Sequence, residues 1–229
     1  MQEKFTYFDF IVYFIPGTMF LWVVSVAGKG SPFLERIGLG NVIADALVFI
    51  ILAFVVGHLV QSISAKFLEG LLKRIYWSGS FVSEQCLIRG NPFFESFKRE
   101  RYLQIAKDNF GFKAEDLGTL EKGDLKDSNA KRISHNVYRV FDAFVKDNQI
   151  GEKASVANTY YHFFRGLVVS CVLATVFFLI VWEWILVIVF GLASYMFLRQ
   201  AKGRGELYIA GTFDSVLGFY ATNGTKRME

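Results

Sequence analysis

Residues 166–198 read GLVVSCVLATVFFLIVWEWILVIVFGLASYMFL and contain one charged side chain, Glu183. A helix needs about 20 residues to cross a hydrocarbon core of ~30 Å, so this stretch is too long for one crossing. Trp182 and Trp184 flank Glu183, and indole rings favour the headgroup level of a bilayer. We therefore predict a membrane hairpin that turns at these three residues.

Two further apolar stretches, 8–28 and 42–64, precede this hairpin, and each is long enough for a crossing helix. With hairpin halves at about 161–181 and 185–198, the sequence predicts four transmembrane helices. The segment between the second and third spans carries apolar residues at helical spacing and no convincing strand pattern. The predicted fold class is an all-α membrane protein with four transmembrane helices as two hairpins and a helical cytoplasmic domain inserted between them.

These limits give four predicted regions. They are a first transmembrane hairpin at 1–64, a cytoplasmic helical domain at 65–160, a second transmembrane hairpin at 161–200 and a cytoplasmic C-terminal tail at 201–229. Lysine and arginine are concentrated between the hairpins and are absent from the turn at Trp182. Because basic residues near the spans favour the cytoplasmic side, we predict that the inserted domain and both termini are cytoplasmic.

The inserted domain is predicted to consist of short helices separated by polar turns. Caps, prolines and glycines set the expected limits of these helices. The predicted elements are an extension of the second span over Lys66–Trp77, a helix that opens at Asn91-Pro92 and runs to about Asn109, a loop at 111–127, a helix capped by Ser128 that runs to about Asp147, and a helix from Glu152 that continues unbroken into the third span.

The residue pattern makes no case for an enzyme. The sequence has no Gly-rich phosphate loop and no histidine pair at metal-binding spacing, and His58, His135 and His162 are scattered along the chain. We therefore expect no catalytic residues, no bound metal and no cofactor.

Polar groups and helix breakers inside the spans are candidates for a pore or gate, because such residues are costly in lipid. His58 and Gln61 share one face near the end of the second span, where they form either an interhelical hydrogen-bonding pair or the lining of an inner pore mouth. Pro16 and Gly17 predict a kink in the first span, which serves either as a hinge or only as shape.

Small residues recur every four positions at the start of the third span. Gly166, Ser170 and Ala174 give this helix a face that another helix backbone can approach closely. The pattern predicts a helix contact, and the sequence leaves open whether the partner helix belongs to the same subunit or to a neighbour.

Two basic clusters in the inserted domain are candidate sites for an oligonucleotide. The first cluster comprises Arg89, Phe94, Phe97, Lys98, Arg99, Arg101 and Tyr102, and the second comprises Arg132, His135 and Arg139. Bases interleaved with aromatic rings are typical of single-stranded nucleic-acid sites, which combine phosphate attraction with base stacking. The alternatives are that the phenylalanines form the buried side of an amphipathic helix and that the second cluster is a solvated helix face.

Three short motifs carry a resemblance to a known class of protein. They are Ile15-Pro16-Gly17 in the first span, Gly57-His58-Leu59-Val60-Gln61 near the end of the second, and Phe163-Phe164-Arg165-Gly166 at the entry to the third. With the overall layout, they resemble small membrane effectors of bacterial anti-phage defence, above all the ion-channel subunit of the Hailong system. The resemblance implies a homotetrameric ion channel in the bacterial inner membrane, controlled by a nucleotide oligomer that a partner nucleotidyltransferase makes. It supplies the class of ligand and no binding residue.

Two functional hypotheses follow from these features. The first is a homo-oligomeric pore-forming effector gated by a nucleotide or oligonucleotide signal, because four helices per subunit are too few to enclose a wide aqueous path alone. The second is a non-conducting membrane scaffold or receptor that recruits a protein partner through its cytoplasmic domain. The pore hypothesis predicts a central axis lined by one span, whereas the scaffold hypothesis predicts exposed apolar surface on the cytoplasmic domain.

Overall fold

The computed structural model of the chain describes residues 7–27, 42–77 and 79–225. Nearly all of these residues are helical, and the described ranges contain no strand. The expectation of an all-α chain is therefore confirmed over this part of the protein. The turn predicted between the first two spans lies outside the described residues.

Nine helices longer than one turn are described. They are α1 (Ile15–Ala27), α2 (Val42–Ile63), α3 (Glu69–Tyr76), α4 (Val82–Gln85), α5 (Ser96–Phe110), α6 (Ala114–Glu121), α7 (Ser128–Asp147), α8 (Glu152–Ile180) and α9 (Trp184–Thr225). A short helical turn at Tyr7–Asp9 and a π-helical segment at Phe10–Phe14 lead into α1, and a second π-helical segment at Ser64–Leu68 joins α2 to α3.

The chain divides into two compact units. The first, which we call the apolar unit, contains the described residues up to Leu72 together with Asn158–Arg204. The second, which we call the polar unit, contains Lys73–Ala157 and the described residues from Gly205 onward. The side of a membrane on which each predicted region lies stays a prediction.

Three of the described helical stretches are long and apolar enough to cross a membrane. They are Ala46–Tyr76, Glu152–Ile180 and Trp184–Thr222, and a shorter apolar stretch covers Phe10–Val23. These lengths and compositions agree with the class of membrane protein that the sequence predicts.

The apolar unit has a core in which α1, α8 and α9 meet. Its buried members are Val23, Cys171, Ala174, Phe178 and Phe190. The small-residue face of α8 lies in this region of the structure: Gly166, Ser170 and Ala174 are all buried. The helix contact predicted for this face is confirmed, and the contacting helix belongs to the same chain.

The outward surfaces of α2 and α9 remain apolar. Only 22% of the apolar window in Ala46–Tyr76 and 11% of that in Trp184–Thr222 is buried. On α2 the exposed side chains include Leu47, Ile51 and Val55, and on α9 they include Ile185 and Ile188. Soluble proteins rarely expose apolar surface over such lengths, so these faces are suited to lipid or to another subunit.

The polar unit has its own aromatic core. Phe141 and Phe213 are fully buried with ring centroids 5.2 Å apart, and Tyr102 lies 5.0 Å from Phe213. Phe213 belongs to α9, which continues to Thr225 where the sequence interpretation placed a C-terminal tail. Buried Ile209, Phe213 and Val216 recur at helical spacing, and this period explains why the segment is helical and packed.

Two other predicted elements differ in the structure. The helix expected to open at Asn91-Pro92 begins at Ser96, because Asn91 Oδ1 accepts the N–H of Phe93 at 2.9 Å and forms a turn. The expected loop at 111–127 contains α6, which buries Leu117 and Leu120. Burial of these two leucines, which are three residues apart, stabilises the short helix. The loop was predicted because the segment is rich in glycine and charged residues.

Other predicted limits agree with the structure. The extension of the second span over Lys66–Trp77 is helical through Tyr76, and the helix from Glu152 runs unbroken to Ile180. The α7 helix begins at Ser128, one residue before the predicted start, because Asp127 and not Ser128 is its cap. Asp127 Oδ1 accepts the N–H of Asn129 at 2.8 Å.

Candidate functional site

Gln61 satisfies a backbone carbonyl that Pro16 leaves without its helical partner. In an α-helix the Val12 carbonyl would accept the N–H of residue 16, and proline has none. The Gln61 Nε2 amide donates to the Val12 carbonyl at 3.0 Å and to the His162 carbonyl at 2.8 Å. A buried side chain of α2 therefore bonds the π-helical segment before α1 and the backbone of α8.

Arg165 extends this bonding along α8 to the end of α2. The side chain is only 2% exposed, and its guanidinium donates to Glu69 Oε1 and, at 3.2 Å, to Ser64 Oγ. The Ser64 hydroxyl in turn lies 2.8 Å from the Gln61 carbonyl oxygen and 3.1 Å from Gln61 Oε1, its two possible acceptors. A buried arginine needs such partners because an unpaired charge is expensive away from water.

We name these residues the Gln61–Arg165 cluster and define it as Val12, Gln61, Ser64, Glu69 and Arg165. It contacts both π-helical segments, since Val12 lies in the first and Ser64 begins the second. Insertions of this kind inside α-helices are frequent at functional sites. The cluster joins the buried polar side chains of Gln61, Ser64 and Arg165, and we take it as the candidate functional site of the apolar unit.

Glycines allow the helices around the cluster to approach closely. A Cβ on Gly17 would lie 1.8 Å from a carbonyl oxygen of α2, and one on Gly57 would lie 1.9 Å from a carbonyl oxygen of the segment before α1. A Cβ on Gly166 would lie 2.5 Å from Gln61 Nε2. Gly17 and Gly57 are therefore required by packing, because a Cβ at either would meet backbone atoms; a Cβ at Gly166 would require the Gln61 and Pro16 side chains to shift.

The structure brings together the three motifs that carried the resemblance. Pro16 and Gly17 from the first, Gly57 and Gln61 from the second, and Gly166 from the third lie around one cluster. Because the three motifs are far apart in the sequence, their contact in the structure could not be predicted from it. Arg165, Ser64 and Glu69 were not predicted as site residues, although an arginine at the start of an apolar span was a signal that a nearby carboxylate is required.

Of the two residues for which the sequence allowed interhelical hydrogen bonding, Gln61 forms such bonds, to the Val12 and His162 carbonyls. Gln61 points into the helix contact, whereas His58 is exposed and its ring stacks on Tyr13 with centroids 3.9 Å apart. Ser62, also exposed on α2, donates its hydroxyl to the His58 carbonyl at 2.9 Å. The pore-lining role remains a prediction for His58.

The first basic cluster is divided between the core and the surface of the polar unit. Phe94 is 7% exposed and Tyr102 is fully buried, so neither ring is free to stack on a base. The Tyr102 hydroxyl donates to Asp214 Oδ1 at 2.7 Å, and Lys98 Nζ lies 3.2 Å from the same oxygen. Burial and the Asp214 carboxylate raise the pKa of Tyr102, which keeps the phenol protonated as a donor.

The remaining members of this cluster face solvent in two separate settings. The Arg101 guanidinium lies 4.6 Å from the ring centroid of the exposed Phe97. Arg89 and Arg99 line a cleft of about 310 Å³ whose other lining residues include Glu100 and Glu121. Two carboxylates therefore balance the two guanidinium groups, which weakens the case for a polyanion in this cleft.

The second basic cluster lies beside a shallow pocket at the start of α7. We name it the α7 pocket; it has a volume of about 280 Å³ and is lined by Glu84, Ser128, Lys131, Arg132 and His135. Arg132 and His135 were predicted site residues, whereas Lys131 and Ser128 were not. Arg139, the third predicted member, is exposed further along α7 and does not line the pocket.

His135 is held by a residue of α4. Its Nδ1 atom lies 3.1 Å from Ser83 Oγ. Burial is the main cause that lowers the pKa of His135; Arg139 and Lys73 act in the same direction, and Glu84 opposes them. The imidazole is therefore neutral near pH 7 and keeps its Nε2 atom for another partner.

The chemistry of the described residues is that of hydrogen bonding and charge. Among residues 7–27, 42–77 and 79–225 no group of three or more His, Cys, Asp and Glu side chains is placed to hold a metal ion. Both cysteines are free and buried. Comparison of the chain with protein-family models, curated proteins and solved structures found no match, so its function has to be inferred from this geometry.

Proposed function

We propose that the protein is a homo-oligomeric, tetrameric ion channel of the bacterial inner membrane, gated by a nucleotide or oligonucleotide signal in anti-phage defence. The observation that carries the proposal is the buried Gln61–Arg165 cluster in a unit whose helices are apolar enough to cross a bilayer. Ionisable groups among membrane helices are costly, and they commonly mark conduction or gating. The proposed effector is not an enzyme.

The proposed topology has four crossings as two hairpins, with the inserted domain and both termini in the cytoplasm. The three long apolar stretches supply three crossings. The stretch Phe10–Val23 supplies the fourth, and two of its buried residues, Val12 and Val23, pack within the same unit. The distribution of basic residues supports the orientation.

Oligomer formation follows from the number of helices and from their surfaces. Four helices that pack around their own core leave no room for a wide aqueous path, so conduction needs several copies around an axis. We assign the lining of that axis to α2, because His58 and Ser62 place polar groups on its otherwise apolar exposed surface. The other exposed faces of α2 and α9 would contact lipid or the neighbouring copy.

The gate is assigned to the Gln61–Arg165 cluster. Gln61 bonds the π-helical segment before Pro16, and Arg165 bonds the first residue of the second π-helical segment. A local return from π-helical to α-helical geometry in either segment would change the register of the residues beyond it. Such a change gives two discrete arrangements, which a signal can bias by binding one of them more tightly.

The test is to record currents from the purified protein in planar bilayers, with and without a single-stranded hexanucleotide on the side of the inserted domain. A gated channel gives unitary currents that the oligonucleotide alters. Currents that do not change when the oligonucleotide is added would contradict gating by an oligonucleotide. Silent bilayers from protein shown to be folded and inserted would remove the pore.

The second candidate is a membrane scaffold that recruits a protein partner. The observation in its favour is exposed apolar side chains on the polar unit, with Phe97 59% and Val140 36% exposed. Ile75, Leu125, Val156 and Leu207 of this unit are exposed as well, but α2 and the part of α9 in the apolar unit expose more large apolar side chains, so we rank this function below the channel. Silent bilayers together with stable capture of a defined partner through Phe97 would reverse that ranking.

A further inference from the structure

The α7 pocket gathers hydrogen-bond donors on one face of a helix. Lys131 and Arg132 lie three and four residues after Ser128, and His135 lies three residues after Arg132. Side chains at these spacings meet on one helix surface. An ammonium group, a guanidinium group and an imidazole therefore border the same small volume.

The carboxylates near the pocket are already engaged. Glu84 Oε1 lies 2.9 Å from Lys73 Nζ, and its Oε2 atom accepts the N–H of Phe81 at 3.1 Å. Asp127 caps α7 by accepting the N–H of Asn129. Within the part of the chain that the structure describes, neither Lys131 nor Arg132 takes part in an ion pair.

The hydrogen bond to Ser83 orients His135 as a donor. In neutral histidine one ring nitrogen carries the proton, and the Ser83 hydroxyl can donate to Nδ1 at 3.1 Å. Nε2 then carries the hydrogen that can meet a ligand. If the ring gains a second proton, Nδ1 donates to Ser83 and Nε2 remains a donor, so both states suit an acceptor such as a phosphate oxygen.

The other cleft lined by basic residues has a different balance. There Arg89 and Arg99 are accompanied by Glu100 and Glu121, and neither of these carboxylates forms an ion pair elsewhere among the described residues. In the α7 pocket the single lining carboxylate is neutralised by Lys73. An anion is consequently favoured at the α7 pocket over the cleft.

We infer that the α7 pocket binds one phosphate group of a nucleotide or oligonucleotide through Lys131, Arg132 and His135. Its volume of about 280 Å³ suits a phosphate and adjoining atoms, with the rest of the ligand on the surface. The inference rests on the proposed function for the source of the ligand and deepens it by assigning the residues that bind the signal.

The test measures binding of a 5′-phosphorylated thymidine hexanucleotide to the full chain in detergent, by calorimetry at several salt concentrations. The Lys131→Gln/Arg132→Gln variant should lose about tenfold or more in affinity, because charge-assisted hydrogen bonds are removed. Its salt slope should fall by about 0.7 for each lost phosphate contact. Inorganic phosphate should compete with the hexanucleotide in the wild type and not in the variant.

The matched control is Arg99→Gln/Arg101→Gln, which removes the same charge from the first basic cluster. This control should keep its affinity within about twofold and retain its salt slope. Equal losses in the two double variants would show attraction to net charge alone and would overturn the inference. Absence of binding to the wild type would overturn it as well.

Currents separate this inference from the proposed function. If wild-type currents respond to the hexanucleotide and those of Lys131→Gln/Arg132→Gln respond equally, the α7 pocket is not the binding site, and the proposal of a gated channel is still supported. If the variant loses binding of the hexanucleotide but wild-type protein gives no currents, the phosphate site is supported and the channel function is rejected. Circular dichroism of both double variants checks that each is folded.

Discussion

Gln61 Nε2 lies 3.0 Å from the carbonyl oxygen of Val12, four residues before Pro16. The proline removes one helical hydrogen bond, and a side chain from a second helix replaces it. The same amide bonds the His162 carbonyl at 2.8 Å, so three parts of the apolar unit depend on one side chain. This dependence makes the contact suitable for measuring how the unit is held together.

Replacing Gln61 by Leu should destabilise the protein. The change removes the amide that donates to the Val12 carbonyl, and a buried unsatisfied group costs about 1–3 kcal/mol; the His162 carbonyl keeps its bond within α8. Thermal unfolding in detergent measures the loss. Ser62→Ala, on an exposed position of the same helix, is the control and should change the unfolding free energy by less than about 0.5 kcal/mol.

A double-mutant cycle tests the role assigned to Pro16. Pro16→Ala restores an N–H that the Val12 carbonyl can accept, so Gln61→Leu should cost about 1 kcal/mol less in that background than in the wild type. Additive effects of the two changes would mean that Gln61 does not replace the bond that the proline removes.

Gly57→Ala should disrupt the contact between α2 and the π-helical segment Phe10–Phe14 that leads into α1. The new Cβ would lie 1.9 Å from a backbone oxygen, so the two helices must separate, and we expect a loss of about 1–3 kcal/mol or more. Gly191→Ala is the matched control, since a Cβ there meets nothing within 4 Å and alanine favours a helix by about 0.5–1 kcal/mol. Unfolding midpoints that move in opposite directions support the contact; a neutral Gly57→Ala contradicts it.

The two partners of the Arg165–Glu69 ion pair should respond unequally to mutation. Arg165 is 2% exposed, whereas the Glu69 side chain is 35% exposed. Glu69→Ala leaves the buried guanidinium with neutral partners, the Ser64 hydroxyl and the Tyr161 ring 5.1 Å away, and should cost on the order of 3 kcal/mol. Arg165→Met leaves a carboxylate that can turn to water and should cost less. If the two variants lose the same free energy of unfolding, burial of the guanidinium does not make Glu69→Ala the more costly change.

Stability should fall as the pH drops through the range in which unfolded histidine gains a proton. Burial lowers the pKa of His135 in the folded chain, so the unfolded state binds more protons below its own pKa of about 6.5. The stabilising contribution is complete above that pH and is lost as the pH falls toward the folded pKa. The stability of His135→Gln, measured between pH 8 and pH 5, should depend less on pH.

Arg139→Gln provides a second check on the same group. Arg139 lowers the pKa of His135, so its removal should move that pKa toward the ordinary value and weaken the pH dependence without abolishing it. A pH profile unchanged by both substitutions would assign the acid sensitivity to another group.

Patterns with a fixed period were the part of the fold that the sequence could predict. The unbroken helix from Glu152 and the contact face of Gly166, Ser170 and Ala174 follow from such patterns. The α6 helix was missed because Leu117 and Leu120 supply only one turn of the period. Short helices of this kind depend on tertiary packing, which propensity alone does not reveal.

The candidate sites were predictable in chemistry and not in arrangement. The sequence identified Gln61 as a polar residue and Pro16 as a helix breaker inside a span. Only the structure shows that Gln61 bonds the Val12 carbonyl, to which Pro16 cannot donate. Phe94 and Tyr102 lie close in sequence to exposed bases, and aromatic side chains there suit a core and a stacking surface equally well. In the structure both rings pack against Phe213, more than 100 residues away in sequence, and therefore belong to the core.

Cysteine substitution tests whether α2 lines an aqueous path. Cys86 and Cys171 are both buried, and burial raises the pKa of the Cys86 thiol to about 12, so the native cysteines give little background reaction. A thiol introduced by Ser62→Cys should react with a charged, membrane-impermeant methanethiosulfonate and reduce the current. Leu59→Cys, 59% exposed in the wild type on an apolar part of the same helix, should react far more slowly if it faces lipid. Equal reaction at the two positions, or faster reaction at Leu59→Cys, would remove α2 as the pore-lining helix, because a charged reagent reaches a thiol only through water.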